Sequence, residues 1–91
     1  MDVKDINAMT QSGILQTARY ERKFTQEVIA NKTGMKRNAV SQSLNRPRIS
    51  LEMFSRLLNA MDYDIVIVDR TTGEAKWRLD TWTADELGID L

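Results

Sequence analysis

Ninety-one residues, 42% hydrophobic and 29% charged, form one globular domain that can bury a core without covalent staples, though by a narrow margin. The chain has no cysteine and no histidine, which excludes a disulfide framework, thiolate and imidazole metal sites and the commonest general base; neither an enzyme nor a metal or cofactor protein is expected. The net charge of zero hides an asymmetry: residues 19–56 hold nine Lys/Arg against three acids, whereas residues 57–91 hold three against eight.

Residues 1–22 read as a first helix. Ile6, Met9, Gly13/Ile14, Leu15 and Ala18 recur at rough three-to-four spacing, with Asp2 or Asp5 suited to the N-terminal end. Gly13 suggests a kink or a close helix–helix approach. Arg19, Arg22 and Lys23 suit a helix C-terminus, or contact with a phosphate backbone. Thr25 is a good N-cap for a second helix from Gln26 to about Lys32, with Val28, Ile29 and Ala30 facing inward. Gly34 supplies the positive φ that ends it, and Met35 turns into the core. A third helix follows over Lys36–Leu44, with Ala39, Val40 and Leu44 inward. The loop Asn45–Ile49 contains the only proline, and Ser50 then caps a fourth helix, Leu51 to about Met61, with Leu51, Phe54, Leu57, Leu58 and Met61 as its apolar stripe.

After residue 63 the pattern changes. Ile65–Val68 is a run of four β-branched residues and reads as a strand. A turn containing Gly73 leads into a second strand over 74–79, where Ala75, Trp77 and Leu79 alternate with polar residues. The expected organisation is a helical domain over 1–63, a hairpin over 64–80 and an acidic tail over 81–91, within one domain overall. No run of eighteen apolar residues is present, nor a charged-then-apolar leader ending in small residues; the expected location is the cytoplasm, with no membrane contact.

The stretch 25–44 has the spacing of a helix-turn-helix unit, and its outer face suits double-stranded DNA. The major groove presents a distinct donor and acceptor pattern for each base pair, read by Arg, Lys, Asn or Gln on a helix held at a fixed angle. Lys36, Arg37, Asn38, Ser41 and Gln42 supply that face and are the candidate base-reading residues. Arg37 can bond a guanine through two N–H groups, Asn38 or Gln42 an adenine, and the short Ser41 permits close approach. An ordinary solvated face usually carries glutamate, yet residues 34–50 contain no acid. Candidate phosphate contacts are Thr25 and Gln26, at a helix N-terminus whose free N–H groups attract anions, and Asn45, Arg46 and Arg48 in the following loop.

Residues 14–62 resemble the lambda-repressor/Cro (XRE) family of helix-turn-helix proteins, through Gln26, Ala30, Gly34, Met35, Val40 and Leu44 at the family's spacing. The resemblance implies a four-helix DNA-binding bundle in which Ala30 lets the two motif helices cross closely. It implies a phosphate contact from Gln26, base contacts from Lys36, Arg37, Asn38 and Gln42, and dimers on palindromic operators. Ser43 departs from the family, which commonly has an apolar residue there, and the hairpin lies outside the shared helical core.

Physics suggests the hairpin's task. A single reading head contacts too few bases, and symmetric heads dock on half-sites about 34–36 Å apart. A strand apolar on both faces is a plausible self-complementary patch. Ile65, Val66, Ile67 and Val68, with Trp77 or Trp82, are therefore the expected homodimer interface. The leading expectation is a transcriptional repressor of phage or mobile-element type. The alternative is a protein-interaction module, such as an antitoxin or a phage-encoded anti-CRISPR inhibitor, that uses the helix-turn-helix for autoregulation. Its partner would be a toxin or a host factor.

Overall fold

The computed structural model describes residues 9–79. In chain order they form α1 (Gln11–Arg22), α2 (Gln26–Thr33), α3 (Arg37–Asn45), α4 (Leu51–Ala60), β1 (Ile65–Val68) and β2 (Ala75–Leu79). The chain is thus mainly helical and ends, among the described residues, in a two-stranded antiparallel hairpin. Asp2, Asp5, Ile6, Trp82 and the acidic tail lie outside the described residues.

Side-chain caps mark where α1, α2 and α4 begin. Thr10, Thr25 and Ser50 each accept a hydrogen bond from the backbone N–H three residues on, at 3.0, 3.2 and 3.1 Å. Each satisfies one of the amides that a helix N-terminus leaves without a partner. The first cap corrects the expected start of helix one. Met9 and Thr10 precede the helix, Met9 is exposed, and α1 runs only from Gln11. Gly13 is explained by the same cap: a Cβ there would stand 3.1 Å from the Thr10 hydroxyl. The glycine leaves room for the cap, and α1 continues through it without interruption to Arg22.

Leu15, Ile29, Val40, Leu44, Leu57 and Met61 are fully enclosed, with Ala18, Ala30 and Leu58 beside them and Phe24, Met35, Phe54 and Tyr63 closing the rim. All four helices contribute to this one core. Two residues assigned to it from their spacing do not belong. Val28 is exposed on α2, and Leu51, the first residue of α4, is 57% exposed. Met61 follows α4 as its C-cap and remains completely buried.

Polar side chains tie the helix ends together. Gln11 donates to the carbonyl of Ile49 at 3.2 Å and accepts from its N–H at 2.7 Å, which fixes the loop between α3 and α4. Gln16 donates to the carbonyl of Leu44 at 3.2 Å. Arg22 donates to the carbonyls of Met61 and Asp62 at 3.1 and 3.2 Å, with its guanidinium 4.2 Å from the centre of the Tyr63 ring. The Tyr63 hydroxyl donates to Glu21 at 2.6 Å. Arg22 is therefore a structural clasp at the end of α4, where cations suit the helix dipole.

The hairpin meets the helical core through Ile65. Ile65 pairs with Leu79, Val66 with Arg78 and Ile67 with Trp77; Val68 then faces Ala75, so Lys76 is the extra residue of a bulge. This breaks the alternation expected of the second strand. Gly73 closes the turn at φ +75°, and the Asp69 carboxylate accepts from the Thr71 N–H and hydroxyl at 2.8 and 2.6 Å.

Candidate nucleic-acid interface

The angle between α2 and α3 is set by a short, internally bonded turn. Gly34 ends α2 at φ +73°. The Thr33 hydroxyl donates to the carbonyl of Ile29 at 2.8 Å and accepts from the N–H of Met35 at 3.3 Å. Ile29 and Ala30 on α2 and Val40 and Leu44 on α3 are buried together, with the small Ala30 side chain allowing close approach. At the other end, Gln16 holds the last turn of α3.

With that inner face anchored, α3 turns its remaining side chains outward. Lys36, Arg37, Asn38 and Gln42 are exposed and Ser41 is half-buried, so Arg37, Asn38, Ser41 and Gln42 share one side of the helix, with Lys36 just before its first turn. Lys36 is the N-cap residue, not the first helical one, and it forms no side-chain cap. The first amides of α3 thus have no capping side chain, unlike those of α1, α2 and α4. Among the described residues, the ion pairs are Arg56–Glu52, Lys76–Glu74 and Arg78–Asp64, none of which involves Lys36, Arg37, Arg46 or Arg48. Ser43, the departure noted above, is half-buried and causes no break in α3.

The candidate phosphate residues divide into two groups. Arg46 and Arg48 are exposed in the loop after α3, and Thr25 and Gln26 open α2. The Thr25 hydroxyl accepts from Val28, which leaves its own O–H to donate outward. Asn45 differs. Its amide donates to the carbonyl of Ser41 at 2.7 Å, and its oxygen lies 3.4 Å from the Gln16 amide. That side chain is thereby tied to the end of α3.

A feature not anticipated from the sequence lies beside the start of α2. Arg19, Tyr20, Lys23 and Phe24 line an open cleft of about 290 Å³. The Arg19 Nε–H is buried without a partner among the described residues, and Lys32 lies 4.8 Å from the centre of the Phe24 ring. The cluster of basic residues at 19–23 was the available signal, but its arrangement depends on Lys23 entering the left-handed region at φ 58°. On the hairpin, Val66, Ile67 and Trp77 are 43, 48 and 68% exposed, whereas Ile65 and Val68 are half-buried; Trp82 lies outside the described residues.

No helix among the described residues is long and apolar enough to cross a membrane. Among the same residues, no group of three or more acidic side chains is placed to hold a metal ion. No protein-family model, curated protein or solved structure matches the chain significantly.

Proposed function

We propose that this chain is a sequence-specific DNA-binding regulator of the lambda-repressor/Cro helix-turn-helix type. It acts as a cytoplasmic homodimer that represses by occupying a palindromic operator, and it is not an enzyme. The observation that carries this reading is the outer face of α3. Lys36, Arg37, Asn38 and Gln42 stand exposed on a helix whose other side is locked into the core, and no acid occurs from residue 34 to residue 50. Such a face matches the donor and acceptor pattern of major-groove base edges. Arg46 and Arg48 flank it and neutralise backbone phosphates, while the N-terminus of α2 offers a third phosphate contact through Thr25 and Gln26. The exposed Ile67 and Trp77 of the hairpin supply the surface that pairs two reading heads.

Titration of a labelled random-sequence duplex over a range of salt concentrations tests the electrostatic part. Affinity should fall with salt, and Arg46→Ala should weaken binding to all sequences and reduce the salt slope by about one unit. Binding that is absent or insensitive to salt would refute the proposal. The alternative is a module that neutralises a toxin or host protein through the hairpin. The exposed Trp77 favours it, and recovery of one stoichiometric protein partner, lost on Trp77→Ala without loss of DNA binding, would establish it.

A further inference from the structure

The two edges of the hairpin are not equivalent. On β2 the bulge at Lys76 interrupts the edge, and the Lys76 ammonium stands 3.3 Å from the Glu74 carboxylate. A bulge and a lysine are both devices that discourage further pairing. The β1 edge has neither: it is a regular run of four β-branched residues without charge. The Asp69 N–H donates to Glu74 and the Asp69 carbonyl accepts from Gly73, so Asp69 points toward β2. Antiparallel alternation then turns Ile67 and Ile65 the same way and directs the N–H and C=O groups of Val66 and Val68 outward. No backbone partner is found for those outward groups among the described residues.

We propose that this edge pairs with the same edge of a second copy, giving a four-stranded antiparallel sheet in the order β2–β1–β1–β2. This names the mode of association for the homodimer proposed above and rests on that reading. Because only alternate residues face outward, permitted registers differ by two residues. Charge selects among them. With Ile67 opposite its own copy on the two-fold axis, Val66 bonds to Val68 of the second chain, and Asp64, just before β1, comes to the same end as Arg70 in the turn that follows it. Asp64 and Arg70 are both exposed; Asp64 has Arg78 of its own hairpin 3.7 Å away at the surface and can take a second cation, and Arg70 forms no ion pair among the described residues. The two-fold makes this contact twice. The registers centred on Val66 or Val68 lose it. In the chosen register the two Ile67 side chains meet between the two Trp77 rings, covering part of the apolar surface that Ile67 and Trp77 expose on the isolated hairpin. The two helical bundles then lie on one face of the sheet, with their Asp64 positions about 20 Å apart along the strand.

The chain contains no cysteine, so a single introduced cysteine reports self-opposition cleanly. Ile67→Cys, Val66→Cys and Val68→Cys, each checked for an unchanged helical circular-dichroism signal, should be oxidised mildly and compared. Ile67→Cys alone should become a covalent dimer, since directly opposed residues of a non-hydrogen-bonded pair bring Cβ atoms within about 4.5–5.5 Å. Crosslinking at 66 or 68 instead would overturn the register. A wild-type dimer by light scattering with no crosslinking at any position would overturn the edge pairing and leave the homodimer standing. A wild-type monomer would overturn both. As a second measurement, Arg70→Glu should raise the dimer dissociation constant roughly three- to tenfold, because two symmetry-related attractions become repulsions; an unchanged constant contradicts the register.

Discussion

Gly34 occupies backbone space that other residues reach only with strain. Its φ is +73°, and a Cβ added there would meet nothing within 4 Å. The cost of Gly34→Ala is therefore conformational, about 1 kcal/mol, and Gly34→Asn should cost less; denaturant midpoints measure both. Ala30 presents the opposite case, a packing limit. It is 7% exposed at the α2–α3 contact, so Ala30→Leu should overpack the crossing and destabilise by about 1–3 kcal/mol in the same assay. Arg37 is proposed to act in recognition and not in folding. It is exposed without an ion pair among the described residues, so Arg37→Ala should leave stability unchanged. It should erase discrimination at one base position, at roughly 1–3 kcal/mol, in competition titrations. Equal loss on specific and random DNA would deny Arg37 a base-reading role.

At the scale of elements, local chemistry carried much of the pattern. The spans of α2, α3 and α4 were legible to within one or two residues because Thr25, Gly34 and Ser50 are chemical punctuation that works without knowledge of tertiary contacts. The hairpin was legible from Ile65–Val68 and Gly73. Features that depend on distant partners were not. Gln11 and Gln16 reach Ile49 and Leu44 across the fold, and spacing alone does not reveal such pairs. The same limit turned Val28 and Leu51 inward in the expectation, since periodicity identifies a stripe but not where the neighbouring helices end. Arg37, Asn38, Ser41 and Gln42 were legible as one helix face, whereas Lys36 falls just before the helix. The bond from Asn45 to the Ser41 carbonyl one turn earlier, which sets it apart from Arg46 and Arg48, was not legible from spacing. In the hairpin turn, the Thr71 hydroxyl and then the Thr71 N–H hold the Asp69 carboxyl below the ordinary aspartate range. A lowered folded-state pKa contributes stability above the unfolded value and loses it as pH falls through the folded value. Acidification into that range should therefore loosen the turn, seen as loss of amide protection at Thr71, and Asp69→Asn should abolish that pH dependence.

For the whole molecule, the helices and the hairpin differ in how far they bury their apolar surface. The bundle closes its own core and holds α3 at a fixed angle, whereas the hairpin leaves Val66, Ile67 and Trp77 in solvent. Val66→Asp should thus leave the helical bundle folded and convert a dimer into a monomer by light scattering, with loss of tight operator binding. A protein that stays dimeric after this change would place the interface elsewhere. In the proposed function two copies of α3 read DNA together. Selection of bound sequences from a random duplex pool with the intact chain tests it most directly. The enriched set should contain an inverted repeat with half-site centres about one helical turn apart. A pool that shows no enrichment, or an enriched set without two-fold symmetry, would contradict it.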